Sequence, residues 1–307
     1  MTDTDDKVAS AFAREALREQ RLARRWNTFF KALFFLYLLA ILVLSIPNLA
    51  RGTWLSGEKF TALVDLQGVI SSDSRASADA IITGLRAAFE DSGTAGVILR
   101  INSPGGSPVQ SGYINDEIRR LRDEYPDIPL YAVLQDICAS GGYYVAAAAD
   151  EIYADKSTIV GSIGVRMDSF GFVESMEKLG VERRLLTAGE HKGFLDPFLP
   201  LEADDVRHIN SVLGEIHEQF INTVRAGRGD RLVESDELFS GYVWTGERGL
   251  ALGLVDALGS SSFVAREIIG AEEIVNFTPR QDLLDQFARK VGASLSEMLL
   301  TNIATLR

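Results

Sequence analysis

A serine followed by two glycines is the first place in this sequence where chemistry could occur. Ser140 precedes Gly141 and Gly142, and it follows the apolar run 130–134, which predicts a strand. The Ala-rich run after it predicts a helix over 140–149, so Ser140 lies at a strand-to-helix turn. A serine there can be a helix N-cap or a nucleophile. Taken alone, the pattern favours the N-cap, because serine is a preferred capping residue.

A second candidate is the loop 102–108, with the sequence NSPGGSP. It follows a predicted strand at 96–101, and ligands of open α/β sheets bind at the carboxyl ends of the strands. The backbone N–H groups of Gly105 and Gly106 could point at an oxygen that becomes negatively charged during a reaction. The alternative is a simple tight turn. A phosphate-binding loop is excluded, because no Gly-Lys-Ser/Thr sequence follows.

A serine hydroxyl needs a base to become a good nucleophile, and the loop 188–197 offers two neighbouring candidates. Lys192 could act as a base only in its neutral form, which burial favours. His191 could instead belong to a serine–histidine–aspartate triad. The possible third members of that triad are Asp136, Asp150 and Asp196. Neighbouring loop residues seldom point the same way, so we expect only one of the two bases to face Ser140.

Composition narrows the possible functions. The chain has 307 residues and a net charge of −12, which argues against nucleic acid as the main partner. Because Cys138 is the only cysteine, an intrachain disulfide is impossible. We expect Cys138 to be a buried small apolar residue rather than a nucleophile. With one cysteine and three histidines, a zinc site of the usual kind is not expected. No metal, nucleotide or organic cofactor is predicted.

Strand and helix patterns alternate from Lys59 onward, which is typical of an α/β fold with parallel strand pairing. The carboxyl ends of parallel strands meet at one edge of a sheet, so this fold class would position both glycine turns. The predicted strands are 60–66, 96–101, 130–134, 151–154, 159–165 and 181–187, and the predicted helices are 77–91, 109–124, 140–149, 172–179 and 201–225.

The segment 29–49 is almost entirely apolar, and about 20 such residues span a bilayer. We expect an uncleaved membrane anchor; the alternative is a cleaved signal peptide. Basic residues are concentrated before the segment, at Arg18, Arg21, Arg24 and Arg25, with Lys31 at its near end, whereas only Arg51 and Lys59 follow over a similar distance. Positive charge stays in the cytoplasm, so the N-terminus should be cytoplasmic and the rest of the chain should lie beyond the membrane.

Four motifs resemble, in order and at close to the same spacing, those of the signal peptide peptidases in the S49 serine peptidase family. They are RINSPGG at 100–106, ASGGYY at 139–144, GSIGV at 161–165 and GEHK at 189–192. The closing motifs WTG at 244–246 and GLVD at 253–256 are also similar. The resemblance covers roughly residues 60–259 and is far more specific than a lone Ser-Gly-Gly.

The resemblance implies a Ser–Lys dyad, with Ser140 as nucleophile, Lys192 as general base and Ser162 orienting Lys192. It implies that the backbone N–H groups of Gly106 and Gly141 form the oxyanion hole. It also implies a fold similar to the Clp protease and crotonase superfamily, a spiral of repeated β-β-α units preceded here by one transmembrane helix. Because the size is similar to that of the family's short form, the resemblance also implies a homo-oligomeric ring, an octamer.

The sequence therefore predicts a bacterial inner-membrane serine endopeptidase with its catalytic domain outside the cytoplasm. Its expected substrates are remnant signal peptides or other short apolar peptides. The expected segments are a cytoplasmic part at 1–28, the anchor at 29–49, the peptidase domain at 55–275 and an amphipathic helical tail at 276–307. Two alternatives remain: a crotonase-type acyl-CoA enzyme, and an inactive membrane-associated scaffold of the same fold.

Overall fold

The computed structural model describes residues 24–39, 59–235 and 237–279. The chain divides into two units, residues 1–58 and 59–307. In the first unit, helix α1 covers residues 24–39, so it includes the start of the predicted anchor, while residues 40–49 lie outside the described part. Among the described helices, none is long and apolar enough to cross a membrane.

The second unit alternates strands and helices as the sequence predicts. Its strands are β1 Phe60–Gln67, β2 Thr94–Ser103, β3 Leu130–Ala139, β4 Glu151–Ala154, β5 Ile159–Gly161, β6 Val243–Thr245, β7 Ala257–Leu258 and β8 Ile274–Asn276. Its α-helices are α2 Ala78–Glu90, α3 Pro108–Glu124, α4 Gly141–Ala146, α5 Val173–Lys178, α6 Ala203–Arg228, α7 Gly246–Ala251 and α8 Ser261–Phe263, and α8 continues as a π-helix over Val264–Ile269.

One mostly parallel sheet organises these elements. Its order is β6-β5-β3-β2-β1-β8, with β4 pairing β3 and β7 pairing β4. Every pairing is parallel except the one between β5 and β6, which is antiparallel. The predicted α/β class with parallel pairing is therefore confirmed, whereas the spiral of repeated β-β-α units remains a prediction.

Along one edge, strand β3 pairs with two different strands, and this pairing determines the position of Ser140. Its first half pairs with β4, where Tyr131 is opposite Glu151. Its second half pairs with β5, where Ala139 is opposite Gly161. On its other side β3 follows β2 from Leu130 to Cys138. Ser140, the next residue, therefore lies where the ends of β2, β3 and β5 meet.

Apolar side chains fill both faces of the central strands, as expected for a parallel sheet covered on each side. The larger cluster includes residues from β1, β2, α2, α3 and the buried segment after Ser140. The smaller cluster, on the opposite face, joins Leu63, Ile98 and Val133 to Val264 and Ala265 of the π-helix. This rigid sheet carries the turns that form the candidate site.

A buried ion pair fixes the carboxyl end of helix α6. The side chain of Arg228 is only 1% exposed and donates two hydrogen bonds of 2.7 Å to the carboxylate of Asp256. Burial by itself would raise the pKa of Asp256, but the hydrogen bonds and charge of Arg228 hold that pKa below its ordinary value. Gly227 packs so closely that a Cβ there would lie 1.9 Å from the carbonyl oxygen of Ala147.

Three predicted elements differ from those in the structure: two are shorter, and one does not form. The strand predicted at 159–165 stops at Gly161, because Ser162 adopts a φ of 53° that leaves the extended conformation. The helix predicted at 140–149 is α-helical only over Gly141–Ala146. The segment 181–187, predicted as a strand, forms no ladder in the described structure. The prediction was wrong there, because a short run of strand-forming residues becomes a strand only if a partner strand is available.

Candidate active site

Ser140 adopts a backbone conformation that side-chain-bearing residues rarely take. Its φ is 52° and its ψ is −124°. Such a conformation costs about 1–3 kcal/mol and persists only when the surroundings enforce it. The residue occupies the N-cap position of α4, yet its side chain makes no capping hydrogen bond. The N-cap interpretation that the isolated pattern favours is therefore wrong for the hydroxyl, which remains available for another role.

Backbone contacts bring Ser162 beside Ser140. The N–H of Ser140 donates to the carbonyl oxygen of Gly161 at 2.8 Å, across the junction between β3 and β5. Ser162 follows directly and also has a positive φ, of 53°. Its own N–H donates to the carbonyl oxygen of Tyr242 at 2.7 Å. Two serines in unusual conformations thus lie at the carboxyl ends of adjacent parallel strands.

The loop after β2 closes over the start of α4. A Cβ on Gly141 would lie 3.2 Å from the backbone nitrogen of Gly106, and one on Gly105 would lie 2.7 Å from the nitrogen of Gly141. The backbones of these glycines are therefore in close contact. The structure confirms that the two glycine turns, 35 residues apart in the chain at Gly106 and Gly141, meet at one place.

The N–H groups of Gly106 and Gly141, the predicted oxyanion hole, lie where the two glycine turns meet. Gly106 forms a parallel bridge with Ile70, whose bonds run from Ile70 N–H to Gly105 and from Ser107 N–H to Ile70. Neither bond uses the N–H of Gly106. Gly141 begins helix α4, and N–H groups in a first helical turn have no intrahelical partner. Paired donors of this kind can hold a developing oxyanion.

Side chains missed by sequence reasoning hold this loop in place. The hydroxyl of Ser103 donates to the carbonyl oxygen of Gly68 at 2.6 Å and accepts from the N–H of Gly105 at 3.1 Å. Ser111 is buried, and its Oγ would lie 2.5 Å from a Cβ on Gly141. Ser103 belongs to a motif that the sequence already marks, but no local pattern distinguishes Ser111 from any other helical serine.

Cys138 is buried and apolar in its surroundings, as predicted. Burial raises the pKa of its thiol, so the thiolate that a nucleophile requires is disfavoured. Within the described residues, no group of three or more histidine, cysteine, aspartate or glutamate side chains could hold a metal ion. Ser140 is thus the nucleophile candidate at this turn.

Lys192 lies in an exposed turn, and no contact in the described structure joins it to Ser140 or Ser162. Its backbone N–H donates to Gly189 at 3.2 Å, but its ammonium makes no hydrogen bond or ion pair with any described residue. The structure therefore brings together Ser140, Ser162, Gly106 and Gly141 and leaves the predicted base in the exposed segment.

His191 has a different partner from those weighed for a triad. Its Nδ1 lies 3.8 Å from a carboxylate oxygen of Asp205, at the start of α6. The three aspartates considered from the sequence are occupied elsewhere: Asp136 accepts from Asn102, Asp150 pairs with Arg122, and Asp196 pairs with Arg183. The described contacts contain no serine–histidine–aspartate triad.

Nucleophilic acyl transfer uses a serine hydroxyl and paired backbone donors such as those found at this turn. The hydroxyl of Ser140 is free of capping bonds, and two backbone donors lie beside it for an oxyanion. Removing one such donor from an enzyme typically costs about 3–4 kcal/mol of transition-state stabilisation. No described hydrogen bond or ion pair joins a base to Ser140.

Comparisons with known proteins agree with this chemistry. A family model described as peptidase family S49 matches residues 122–273. A putative protease of Synechocystis is 32% identical over 205 residues, which are 67% of this chain and 72% of that protein. A putative signal peptide peptidase SppA of Enterococcus faecium is 33% identical over 180 residues, or 59% of this chain and 52% of that protein.

A further relative has a different name. A protein of Brucella abortus named Na(+)/H(+) antiporter NhaA is 43% identical over 209 residues, which are 68% of this chain. The chain spans only 28% of the length of that protein.

Proposed function

This chain belongs to peptidase family S49, a family of serine peptidases, and on that premise we propose that it is a serine endopeptidase that uses a Ser–Lys dyad. The observation that carries the proposal is the conformation of Ser140. Its strained turn holds the hydroxyl free of capping bonds beside the N–H groups of Gly106 and Gly141. Strain of this kind is characteristic of active-site residues.

In the proposed reaction, Ser140 Oγ attacks the peptide carbonyl carbon as neutral Lys192 takes its proton. The carbonyl oxygen becomes an oxyanion, held by the N–H groups of Gly106 and Gly141. The tetrahedral intermediate collapses, the C–N bond breaks, and the proton on Lys192 passes to the leaving amine. Lys192 then takes a proton from water, whose oxygen attacks the acyl-enzyme carbonyl carbon. When the bond to Ser140 Oγ breaks, that proton passes from Lys192 to Oγ, which releases the acid and restores both residues.

Lys192 needs a covering surface to act in this way. Water stabilises an ammonium ion, and the Lys192 side chain is exposed in a single chain. The surrounding segment is also unusually apolar for an exposed surface: Phe170 and Leu179 are 77% exposed and Leu186 is 96% exposed. Exposed apolar patches mark interaction sites. We propose that a neighbouring copy covers this segment in a homo-oligomeric ring.

We also propose that the apolar segment 29–49 anchors the protein in the bacterial inner membrane, with residues 1–28 in the cytoplasm and the catalytic unit outside it. The excess of positive charge before the segment supports this orientation. An anchored peptidase would be close to short apolar peptides released from the bilayer. Remnant signal peptides are therefore the proposed substrates, in keeping with the name of the Enterococcus relative.

A serine-directed fluorophosphonate probe tests the proposal in membranes that contain the full-length protein. We expect labelling of Ser140, identified by mass spectrometry of the modified peptide, and no labelling of Ser140→Ala. A well-folded protein that is never labelled would support the inactive scaffold instead, and binding of coenzyme A would support the acyl-CoA enzyme. The antiporter name is not carried over, because this chain spans only 28% of the protein that bears it.

The ring proposal has its own test. Leu186→Asp should lower the oligomeric mass in native mass spectrometry and reduce peptidase activity, because a charge is costly in an apolar interface. The exposed polar substitution Glu190→Gln is the control, since it changes charge in the same segment without adding one to an apolar surface. Unchanged mass in Leu186→Asp would argue against an interface at this segment.

A further inference from the structure

Helix α6 contacts the segment after Ser162 through His217. Nε2 of His217 lies 3.1 Å from the carbonyl oxygen of Ile163. A carbonyl oxygen can only accept a hydrogen bond, so Nε2 must carry the hydrogen. Ile163 is fully buried and directly follows Ser162. The hydrogen bond therefore acts on the carbonyl group of the residue that follows a predicted active-site serine.

The Ser162 turn is a conformation that its neighbours must enforce. Its φ of 53° is unfavourable for a residue with a side chain. On one side, the N–H of Ser162 donates to Tyr242, and a Cβ on Gly164 would lie 3.1 Å from Cα of Gly241. On the other side, His217 holds the carbonyl group of Ile163. The turn thus contacts the chain before β6 on one side and helix α6 on the other.

Helix α6 is itself fixed to the element that carries the nucleophile. The ring of Phe220, three residues after His217, packs 5.1 Å from the ring of Tyr144, measured between centroids. Thr223 Oγ1 donates to the Tyr144 hydroxyl at 3.0 Å. Tyr144 belongs to α4, which begins directly after Ser140. One helix face therefore contacts both the Ser140 helix and the Ser162 turn.

We propose that His217 is a positioning residue for the peptidase reaction, and this inference rests on the proposed function. By holding the carbonyl group of Ile163, His217 keeps the Ser162 turn in place beside Ser140. His217 touches neither the substrate nor the reacting atoms. Its effect should therefore appear in the rate of acylation rather than in substrate binding.

The test uses three variants of the full-length protein and a peptide substrate. His217→Asn keeps a polar side chain, but this side chain is too short for its amide to reach the position of Nε2. His217→Gln carries an amide N–H at about the reach of Nε2. Gln219→Ala removes an exposed side chain from the same helix and is the matched control. We expect kcat to fall about tenfold or more in His217→Asn with little change in KM, and to recover largely in His217→Gln.

The rate of fluorophosphonate labelling at Ser140 gives a second readout and should follow the same order. Equal loss in His217→Asn and His217→Gln, or a kcat in His217→Asn equal to that of Gln219→Ala, would overturn the inference. Ser140→Ala is measured in parallel. If it retains turnover, the proposed function fails; if it is inactive while His217→Asn is fully active, only the role of His217 fails.

Discussion

The N–H of Ser140 donates a hydrogen bond of 2.8 Å to the carbonyl oxygen of Gly161. This contact joins the ends of two strands that pair in parallel, so the residue after each strand falls side by side: Ser140 after β3 and Ser162 after β5. Both serines have positive φ angles, of 52° and 53°. The contact thus links the two strained residues of the candidate site in one backbone network.

The first prediction concerns the strain at Ser140. Ser140→Ala should abolish peptidase activity without changing the fold, whereas Ser140→Gly should abolish activity and also relieve strain, because glycine adopts positive φ readily. The free energy of unfolding should be about 1 kcal/mol higher for the glycine variant than for the alanine variant. Denaturant titration of both variants checks this. A glycine variant less stable than the alanine variant would contradict the assigned conformation.

The second prediction concerns the oxyanion loop. Gly106→Ala would place a Cβ 2.1 Å from the carbonyl oxygen of Ile70, so the bridge must break and the donor pair must separate. We expect kcat to fall by about 100-fold or more. Gly112→Ala, in helix α3, is the control, because a Cβ there meets nothing within 4 Å. A comparable decrease of kcat in the two variants would show that the geometry of the Gly106 loop does not determine activity.

The third prediction separates the two candidate bases. Lys192→Ala should lower kcat by about 100-fold to 10,000-fold, the usual worth of general base catalysis. Its unfolding midpoint should be unchanged, because the side chain makes no described contact. His191→Ala should leave most of the activity, since the imidazole lies near Asp205 rather than in a triad. Near-full activity in Lys192→Ala with inactivation in His191→Ala would reverse the assignment.

The fourth prediction concerns pH and Glu117. Hydrogen bonds from Arg120, then from Arg86, lower the pKa of Glu117 from 4.5 to about 2. The folded-state pKa lies below the unfolded value, so this carboxylate stabilises the fold fully above about pH 4.5 and progressively less as the pH falls toward 2. Glu117→Gln should flatten the pH dependence of stability within that window. An unchanged slope in acid titrations of stability would argue against the ion pairs.

The fifth prediction concerns the buried ion pair that fixes helix α6. Arg228→Ala leaves Asp256 without its main partner and should lower the free energy of unfolding by about 3–5 kcal/mol. Arg225→Ala, on the same helix, breaks an exposed pair with Glu234 and should have only a slight effect. Thermal denaturation of the two variants provides the comparison. Similar midpoints would show that burial of the Arg228 pair contributes little.

The alternation of apolar runs and glycine turns was enough to predict the α/β class and parallel pairing, because both depend on local periodicity and connection length. The turn at Ser140 was predictable for the same reason. The structure of segment 181–187 was not, since its residues find no partner strand. The family motifs also identified Ser162, whose position beside Ser140 depends on a register between strands about 20 residues apart.

By itself, the sequence determined the fold class, the family and the serine at a strand-to-helix turn, because short-range patterns and ordered motifs carry that information. Only the tertiary structure decided that Ser140 is strained rather than capping, and that Gly106 meets Gly141. It also decided that His217 holds the turn after Ser162, while Lys192 stays exposed. Each depends on contacts between residues distant in the chain, which form only when the sheet, the loops and helix α6 pack together.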